Sequence, residues 1–139
     1  MKKITLSVFT ITIVLVLFAF QTKTQIGIGN AERGKKIYAK ECITCHQADG
    51  GGVPRLNPPL SECSWVVGDK KRIINIVLNG MTDRVEIDGE YYSNSMASHK
   101  HLTDQQIADV LTYIRTNFGN KASAVTAQEV AAVRKPKKK

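Results

Sequence analysis

The chain has 139 residues, of which 42% are hydrophobic and 6% aromatic, so we expect one compact domain rather than two. The formal net charge is +8, but the N-terminal Lys2 and Lys3 and five basic residues from Arg134 to Lys139 account for seven of those charges. The rest of the chain is therefore nearly neutral, and it lacks basic patches interleaved with aromatic residues, which argues against nucleic-acid binding.

The N-terminus has the pattern of an export signal. Met1-Lys2-Lys3 supplies a positive start, the run from Ile4 to Phe20 carries no charge, and Gln21 to Gln25 is polar. We expect residues 1–20 to be either a signal peptide, cleaved after Ala19 or Phe20, or an uncleaved membrane anchor, because the apolar run is slightly long for the first and short for the second. Residues 21–29 would then be a linker, and the rest of the chain would lie outside the cytoplasm.

The first predicted helix of the domain runs from Ala31 to about Lys40. Asn30 is suited to cap its N-terminus, because a short polar side chain can accept a hydrogen bond from a free backbone amide of the first turn. Gly34 and Tyr38 lie four positions apart and so share one face of this helix. We expect that face to pack on another helix.

A chemically specific motif follows directly. Cys42-Ile43-Thr44-Cys45-His46 is the sequence pattern for attachment of a c-type haem. Two thiols three positions apart can each form a thioether with one vinyl group of the same porphyrin, and the adjacent histidine is then placed to bind the iron. We therefore predict one haem c, covalently attached through Cys42 and Cys45, with His46 as its proximal ligand.

Other interpretations of the cysteines fit less well. A thioredoxin-like Cys-x-x-Cys pair would follow a strand, but a helix is predicted before Cys42. A zinc site would need two further ligands, normally in a second close pair, whereas Cys63 is alone and His99 and His101 are distant. A disulfide between Cys42 and Cys45 would leave His46 without a role. We expect Cys63 to be a buried or partly buried free thiol, with an intermolecular disulfide as the alternative.

The middle of the domain combines a long loop with a second helix. Residues 47–68 are rich in glycine and proline and predict a loop. The next segment, from Asp69 to Leu78, predicts a helix that ends at Gly80. Its apolar face comprises Ile73, Ile74, Val77 and Leu78.

Two further elements complete the predicted domain. The segment from Val85 to Tyr92 has an Asp-Gly turn between short extended runs, which predicts a small hairpin. Thr103 and Gln106 form a capping box at the start of a final helix that Gly119 closes. We expect this helix to pack on the first one, with Gly34 and Tyr38 meeting Tyr113 or Ile114. Its apolar positions are Ile107, Val110, Leu111, Ile114 and Phe118.

The chain resembles a class I cytochrome c, and more narrowly the small monohaem cytochromes that accompany periplasmic dehydrogenases and oxidases. The resemblance spans nearly all of residues 30–120 and implies an all-α cytochrome c fold wrapped around one haem, with the small hairpin near 85–92. The matching stretches are Gly34-x-x-x-Tyr38, Cys42 to His46, Asp49-Gly50-x-Gly52, Pro58-Pro59-Leu60, Trp65, Val77-Leu78-x-Gly80, Tyr91-x-x-x-x-Met96 and Leu102 through Asn120.

The resemblance also implies roles for three further residues. Met96 matches the methionine that binds the iron as the second axial ligand. Pro58 matches the proline whose carbonyl accepts the Nδ1 proton of the histidine ligand, a contact that orients the ring. Trp65 matches an aromatic residue that packs near a haem propionate. Three other side chains are candidates for the second axial position: Met81, which is better explained as a core residue, and His99 and His101.

These features predict a single-electron carrier of the respiratory chain, not an independent enzyme, because the sequence shows no nucleophile–base pair, paired carboxylates or phosphate loop. It would pass electrons between a dehydrogenase or respiratory complex and an acceptor. We expect it in the periplasm, either free or tethered to the outer face of the cytoplasmic membrane. It would be a monomer or one subunit of a complex. Alternatives are a dedicated cytochrome subunit, with residues 126–133 of the 121–139 extension as its contact, and a five-coordinate sensor or peroxidase.

Overall fold

The computed structural model describes residues 27–135, so the predicted signal or anchor at 1–20 lies outside the described residues. No helix between residues 27 and 135 is long and apolar enough to cross a bilayer. In chain order the described elements are α1 (Ala31–Glu41), α2 (Ile43–His46), α3 (Ser64–Val67), α4 (Lys70–Asn79), β1 (Val85–Ile87), β2 (Glu90–Tyr92), α5 (Asp104–Thr116) and α6 (Ala127–Arg134). The expected largely helical fold with one small hairpin is confirmed.

Helix α1 begins at the predicted cap and packs on α5. The Asn30 side chain accepts a hydrogen bond from the backbone amide of Arg33 at 2.9 Å. Gly34 is buried where the helices cross, and a Cβ there would overlap the backbone carbonyl of Asp109. The rings of Tyr38 and Tyr113 lie 5.5 Å apart. The predicted pairing of the first and last helices is therefore confirmed.

Helix α5 forms the centre of the core. Its capping box is present, since the Thr103 hydroxyl accepts from the amide of Gln106 and the Gln106 side chain accepts from the amide of Thr103. One expectation was wrong: the helix ends at Thr116, so Phe118 lies beyond it with a positive φ of 55°. The buried apolar residues of α5 are Ile107, Ala108, Val110, Leu111 and Ile114.

The long loop is less irregular than predicted, because it contains the short helix α3 at Ser64–Val67. The Asp88 carboxylate accepts a hydrogen bond from the amide of Ser64 at 3.0 Å and so satisfies a free donor at the start of this helix. Asp88 lies in the turn of the hairpin, in which Val85 pairs with Tyr92 and Ile87 with Glu90. The hairpin thus stabilises a helix more than twenty residues earlier in the chain.

Helix α4 follows α3 and ends as predicted. The Asp69 side chain accepts a hydrogen bond from the amide of Lys71 at 3.0 Å, which makes it the N-cap. Gly80 ends the helix with a φ of +75°, a conformation that a side chain would strain. Ile74 and Leu78 of this helix are almost completely buried.

The extension after Asn120 is part of the folded body as far as Lys135. Val130 of α6 is fully buried, and the Lys70 ammonium lies 3.0 Å from the Glu129 carboxylate. The amide of Gly29 donates to the carbonyl of Val125 at 2.8 Å, which joins the two ends of the described chain. Val130 is therefore buried against its own chain and is not available to a partner, so its predicted place in a subunit contact is wrong. The other residues of that predicted contact are Thr126, Glu129 and Val133.

Candidate functional site

A cavity of about 260 Å³ lies between α2, α4, the hairpin and α5. Its walls are mainly apolar, as expected of a site for a large hydrophobic ligand. The lining includes aliphatic residues of α3, α4, the hairpin, α5 and the loops that adjoin them, namely Leu60, Val66, Ile73, Ile76, Val77, Val85, Ile87, Leu102, Val110, Leu111 and Ile114. It also includes every residue that the sequence predicts to hold a cofactor, namely Cys42, Cys45, His46, Pro58, Trp65 and Met96.

The Cys-x-x-Cys-His motif is compact because it forms one helical turn. The amides of Cys45 and His46 donate to the carbonyl of Cys42 at 3.2 Å and 3.0 Å. Burial and, less strongly, the neighbouring Glu41 carboxylate raise the pKa of the Cys42 thiol to about 12. Cys42 is half-buried, while Cys45 is exposed on the same turn.

His46 is fixed by a single backbone contact. It is 9% exposed, and its Nδ1 lies 3.0 Å from the carbonyl oxygen of Pro58. Since a carbonyl only accepts, Nδ1 carries the proton and Nε2 keeps its lone pair for a metal. Burial lowers the pKa of the His46 imidazole, the bond to Pro58 opposes that effect, and the nearby His99 adds to it. The ring is therefore held neutral, which is the form that binds iron.

Besides His46, two methionines and one further histidine line the same cavity. Met96 and Met81 both line it and are both half-buried, so the expectation that Met81 is an ordinary core residue does not describe its position. His99 also lines the cavity. His101 does not belong to the lining, and its side chain is 57% exposed. By position, Met96, Met81 and His99 therefore remain candidates for a second ligand to iron.

Trp65 and Cys63 form another part of the wall. The guanidinium carbon of Arg72 lies 4.8 Å from the centroid of the Trp65 ring, a cation–π contact that holds the indole in place. Cys63 is a free thiol with 3% exposure, as predicted, but its position in the cavity wall was not foreseen. The residues next to Cys63 in the sequence do not indicate this position, because it depends on the hairpin folding back over α3.

These residues fit a covalently attached haem. The cavity offers an apolar enclosure, two cysteines on one turn and a histidine whose free nitrogen can bind iron. The family model described as cytochrome c matches residues 31–118. The chain belongs to the cytochrome c family. Its members carry haem c on the protein and transfer electrons, so this cytochrome is an electron-transfer protein rather than an enzyme in its own right.

Relatives of two kinds are similar to this cytochrome. Cytochrome c-552 of Thermus thermophilus is 35% identical over 113 residues, which cover 75% of this chain and 86% of that protein. The cytochrome c subunit of a quinone-dependent alcohol dehydrogenase from Gluconacetobacter polyoxogenes is 40% identical over 106 residues, or 73% of this chain. The cytochrome c subunit of gluconate 2-dehydrogenase from Pantoea cypripedii is 36% identical over 113 residues. The match spans only 22% and 25% of these two subunits.

Proposed function

We propose that this protein is an exported monohaem cytochrome in which Cys42 and Cys45 hold the haem and His46 and Met96 bind its iron. It carries single electrons between a dehydrogenase or respiratory complex and an acceptor. The observation that carries the proposal is the convergence of these four side chains on one apolar cavity. When bound, haem c supplies an iron that alternates between the ferrous and ferric states.

The preference for Met96 over Met81 rests on its match to the family's methionine, and the preference over His99 rests on the missing hydrogen bond of the His99 ring. The amide of Met96 donates to the carbonyl of Met81 at 2.8 Å, which fixes the loop that carries it. Among the described residues the Nδ1 of His99 makes no hydrogen bond, so its ring lacks the contact that orients the His46 ring. Sulfur and imidazole together favour the reduced state more than two imidazoles would.

The apolar lining and the exposed Cys45 affect different steps of electron transfer: the lining affects the potential of the centre, and the Cys45 side affects access by a partner. The aliphatic side chains exclude water from the cavity, which favours the less charged state of the centre. Cys45 is exposed, so the side of the cavity on which it lies is open to a partner. Redox partners meet over small areas, and we propose that they dock around this side for a short time.

The N-terminal segment indicates where the protein works. Residues 1–20 have the pattern of a secretory signal or an anchor, and cytochromes of this type receive their haem outside the cytoplasm. We therefore place the mature protein in the periplasm, free or tethered by the N-terminal segment to the outer face of the cytoplasmic membrane.

A second function is favoured by the dehydrogenase relatives. Both dehydrogenase relatives described above are cytochrome c subunits, and in this second function the chain is the dedicated cytochrome of a dehydrogenase complex. A stable flavin, quinone or molybdenum subunit that co-purifies with it would support that role over a free shuttle. A third function, a five-coordinate sensor or peroxidase, requires that Met96 does not bind the iron, so that one coordination position stays open. It predicts carbon monoxide binding to the reduced protein without loss of a ligand.

Proton NMR of the reduced protein tests the ligand set. The methyl group of an iron-bound methionine is shifted far upfield by the porphyrin ring current. We expect one such resonance, lost in Met96→Ala and retained in Met81→Ala, which alters the other methionine of the same wall. A spectrum without that resonance in the unmodified protein, or its loss only in Met81→Ala, would refute ligation by Met96.

A further inference from the structure

A second cluster of ligand-type side chains lies next to the haem cavity. Glu41 is the last residue of α1 and directly precedes Cys42, while His99 and His101 lie on the loop between Met96 and α5. The Glu41 Oε2 is 3.2 Å from the His101 Nε2 and 3.7 Å from the His99 Nδ1. One atom from each of the three side chains can be chosen so that all lie within 4.8 Å of one another.

One of these atoms lacks a partner. The Nδ1 of His99 is buried and makes no hydrogen bond among the described residues, because 3.7 Å from the Glu41 oxygen is too long for one. A buried nitrogen without a partner costs free energy that native structures seldom tolerate without a reason. A cation between the carboxylate and the two rings would satisfy it.

Hydrogen bonds to the backbone fix the loop that carries the two histidines. The amide of His99 donates to the carbonyl of Val77 at 2.9 Å, and the amide of Leu102 donates to the carbonyl of His99 at 3.0 Å. The Ser98 hydroxyl donates to the carbonyl of Leu78 at 2.6 Å. The loop is therefore pinned to α4, and its two imidazoles lie side by side with centroids 5.9 Å apart. Ligands on a fixed backbone lose little freedom when they bind an ion.

The donor set identifies the kind of ion. Two imidazoles and one carboxylate suit Zn²⁺ or Cu²⁺, whereas Mg²⁺ and Ca²⁺ prefer oxygen ligands. Metal–ligand bonds of about 2.0–2.1 Å in a tetrahedral site place the ligand atoms roughly 3.3 Å apart. The Glu41 oxygen is already 3.2 Å and 3.7 Å from the two ring nitrogens, and no two of the three ligand atoms are more than 4.8 Å apart.

We propose that Glu41, His99 and His101 bind one transition-metal cation of the Zn²⁺ or Cu²⁺ type, with a water molecule as the fourth ligand. The site lies beside the attachment point of the haem at Cys42, because Glu41 and His99 both line the haem cavity. A bound cation replaces the negative charge of Glu41 with a positive charge on this side of the cavity. It is a site separate from the iron and uses none of the residues assigned to the iron.

Calorimetric titration of the haem-loaded protein, purified without a histidine tag, with Zn²⁺ tests the proposal. We expect one Zn²⁺ per chain, with binding weakened at least about tenfold in His101→Ala and in Glu41→Gln. Lys100→Ala, which alters the residue between the two histidines, is the matched control and should bind as the unmodified protein does. His101 is mostly exposed, so its replacement should not disturb folding.

The spectrum of bound Cu²⁺ gives an independent readout. We expect nitrogen hyperfine splitting from two imidazoles in the unmodified protein and from one in His101→Ala, with the haem absorption bands unchanged by the cation in both. Equal Zn²⁺ affinity for the unmodified protein and His101→Ala would overturn the proposal. So would a change of the iron ligands on titration, because it would show that His99 serves the iron.

Discussion

Met81 and Met96 are joined by a two-residue antiparallel bridge in which each amide donates to the other residue's carbonyl, at 2.9 Å and 2.8 Å. Both side chains line the same cavity, although they are fifteen positions apart in the sequence. The bridge ties the loop before α5 to the end of α4. The position of the proposed sulfur ligand is therefore set by backbone bonds, and not by the fit of its side chain alone.

Replacing Met96 should change the redox potential. Met96→Ala removes the proposed thioether ligand and leaves an open position or a weaker ligand, so we expect a lower midpoint potential and carbon monoxide binding to the reduced protein. Potentiometric titration followed by absorption measures the change. Met81→Ala, which alters the other end of the same bridge, should leave the potential close to its original value. An unchanged midpoint in Met96→Ala would favour His99 as the ligand.

Gly80 should be essential to the same bridge. A Cβ on Gly80 would overlap the carbonyl oxygen of Met96 and would also be strained at its φ of +75°. We expect Gly80→Ala to reduce the free energy of unfolding by about 3 kcal/mol and to weaken the methionine–iron bond. Gly89→Ala has a similar φ of +86° but no atom within 4 Å of the added Cβ, so it should cost only about 1 kcal/mol. Equal losses in the two variants in denaturant titrations would contradict this account.

The Pro58 carbonyl should tune His46. A Cβ on Gly52, whose φ is +66°, would lie 2.6 Å from that carbonyl oxygen, so Gly52→Ala must displace it and weaken its bond with the His46 Nδ1. A less basic imidazole stabilises ferric iron less well, and we expect the midpoint potential to rise. Gly89→Ala, which shares the positive φ but lies outside the cavity lining, controls for backbone strain. A midpoint in Gly52→Ala equal to that of the control would show that this contact does not tune the ring.

Asp109 should make the stability of the protein depend on acid pH. Its buried carboxylate accepts from the Arg33 guanidinium at 2.7 Å, the Asn30 amide at 2.7 Å and the Gln105 amide group at 2.9 Å. Burial raises the pKa of the Asp109 carboxyl, but these hydrogen bonds outweigh it and hold the pKa below its usual value. The stabilisation from the Asp109 carboxylate is complete above about pH 3.9, which is the pKa of an aspartate in the unfolded chain. It is lost as the pH falls through the lower pKa that Asp109 has in the folded protein.

The variant Asp109→Asn isolates that contribution. We expect it to be less stable than the unmodified protein by about 2 kcal/mol at pH 7, with the difference shrinking as the pH falls below about 4. Urea unfolding followed by circular dichroism at several pH values measures both quantities. A difference that stays constant down to pH 3 would mean that the carboxylate's charge contributes nothing.

Local sequence patterns predicted α1, α4, α5 and the hairpin, but not α3. Asn30 and Thr103 are caps as predicted, because each is a short polar residue that accepts from an amide three positions later. Asp69 was predicted as the first residue of its helix and is instead the N-cap. The end of α5 was also misplaced. Phe118 continues the apolar spacing, but the chain leaves the helix one residue earlier, at Asn117, whose backbone is extended, and no local sequence signal marks that change.

Contacts between distant segments could not be predicted from the sequence. Helix α3 depends on the Asp88 carboxylate, and the burial of Val130 depends on α6 folding back on the core. The haem motif was recognised because its chemistry needs a fixed short spacing. The cluster of Glu41 with His99 and His101 was not, since it joins residues nearly sixty positions apart.

Intact mass spectrometry of the exported protein, produced in cells equipped for cytochrome maturation, tests the central claim most directly. We expect the mature chain to be heavier than its amino acids by the mass of one haem, and Cys63→Ser to carry the same addition. The double variant Cys42→Ala with Cys45→Ala should lose it. A colourless mature chain with the mass of its amino acids alone would contradict the assignment of this cavity as a covalent haem site.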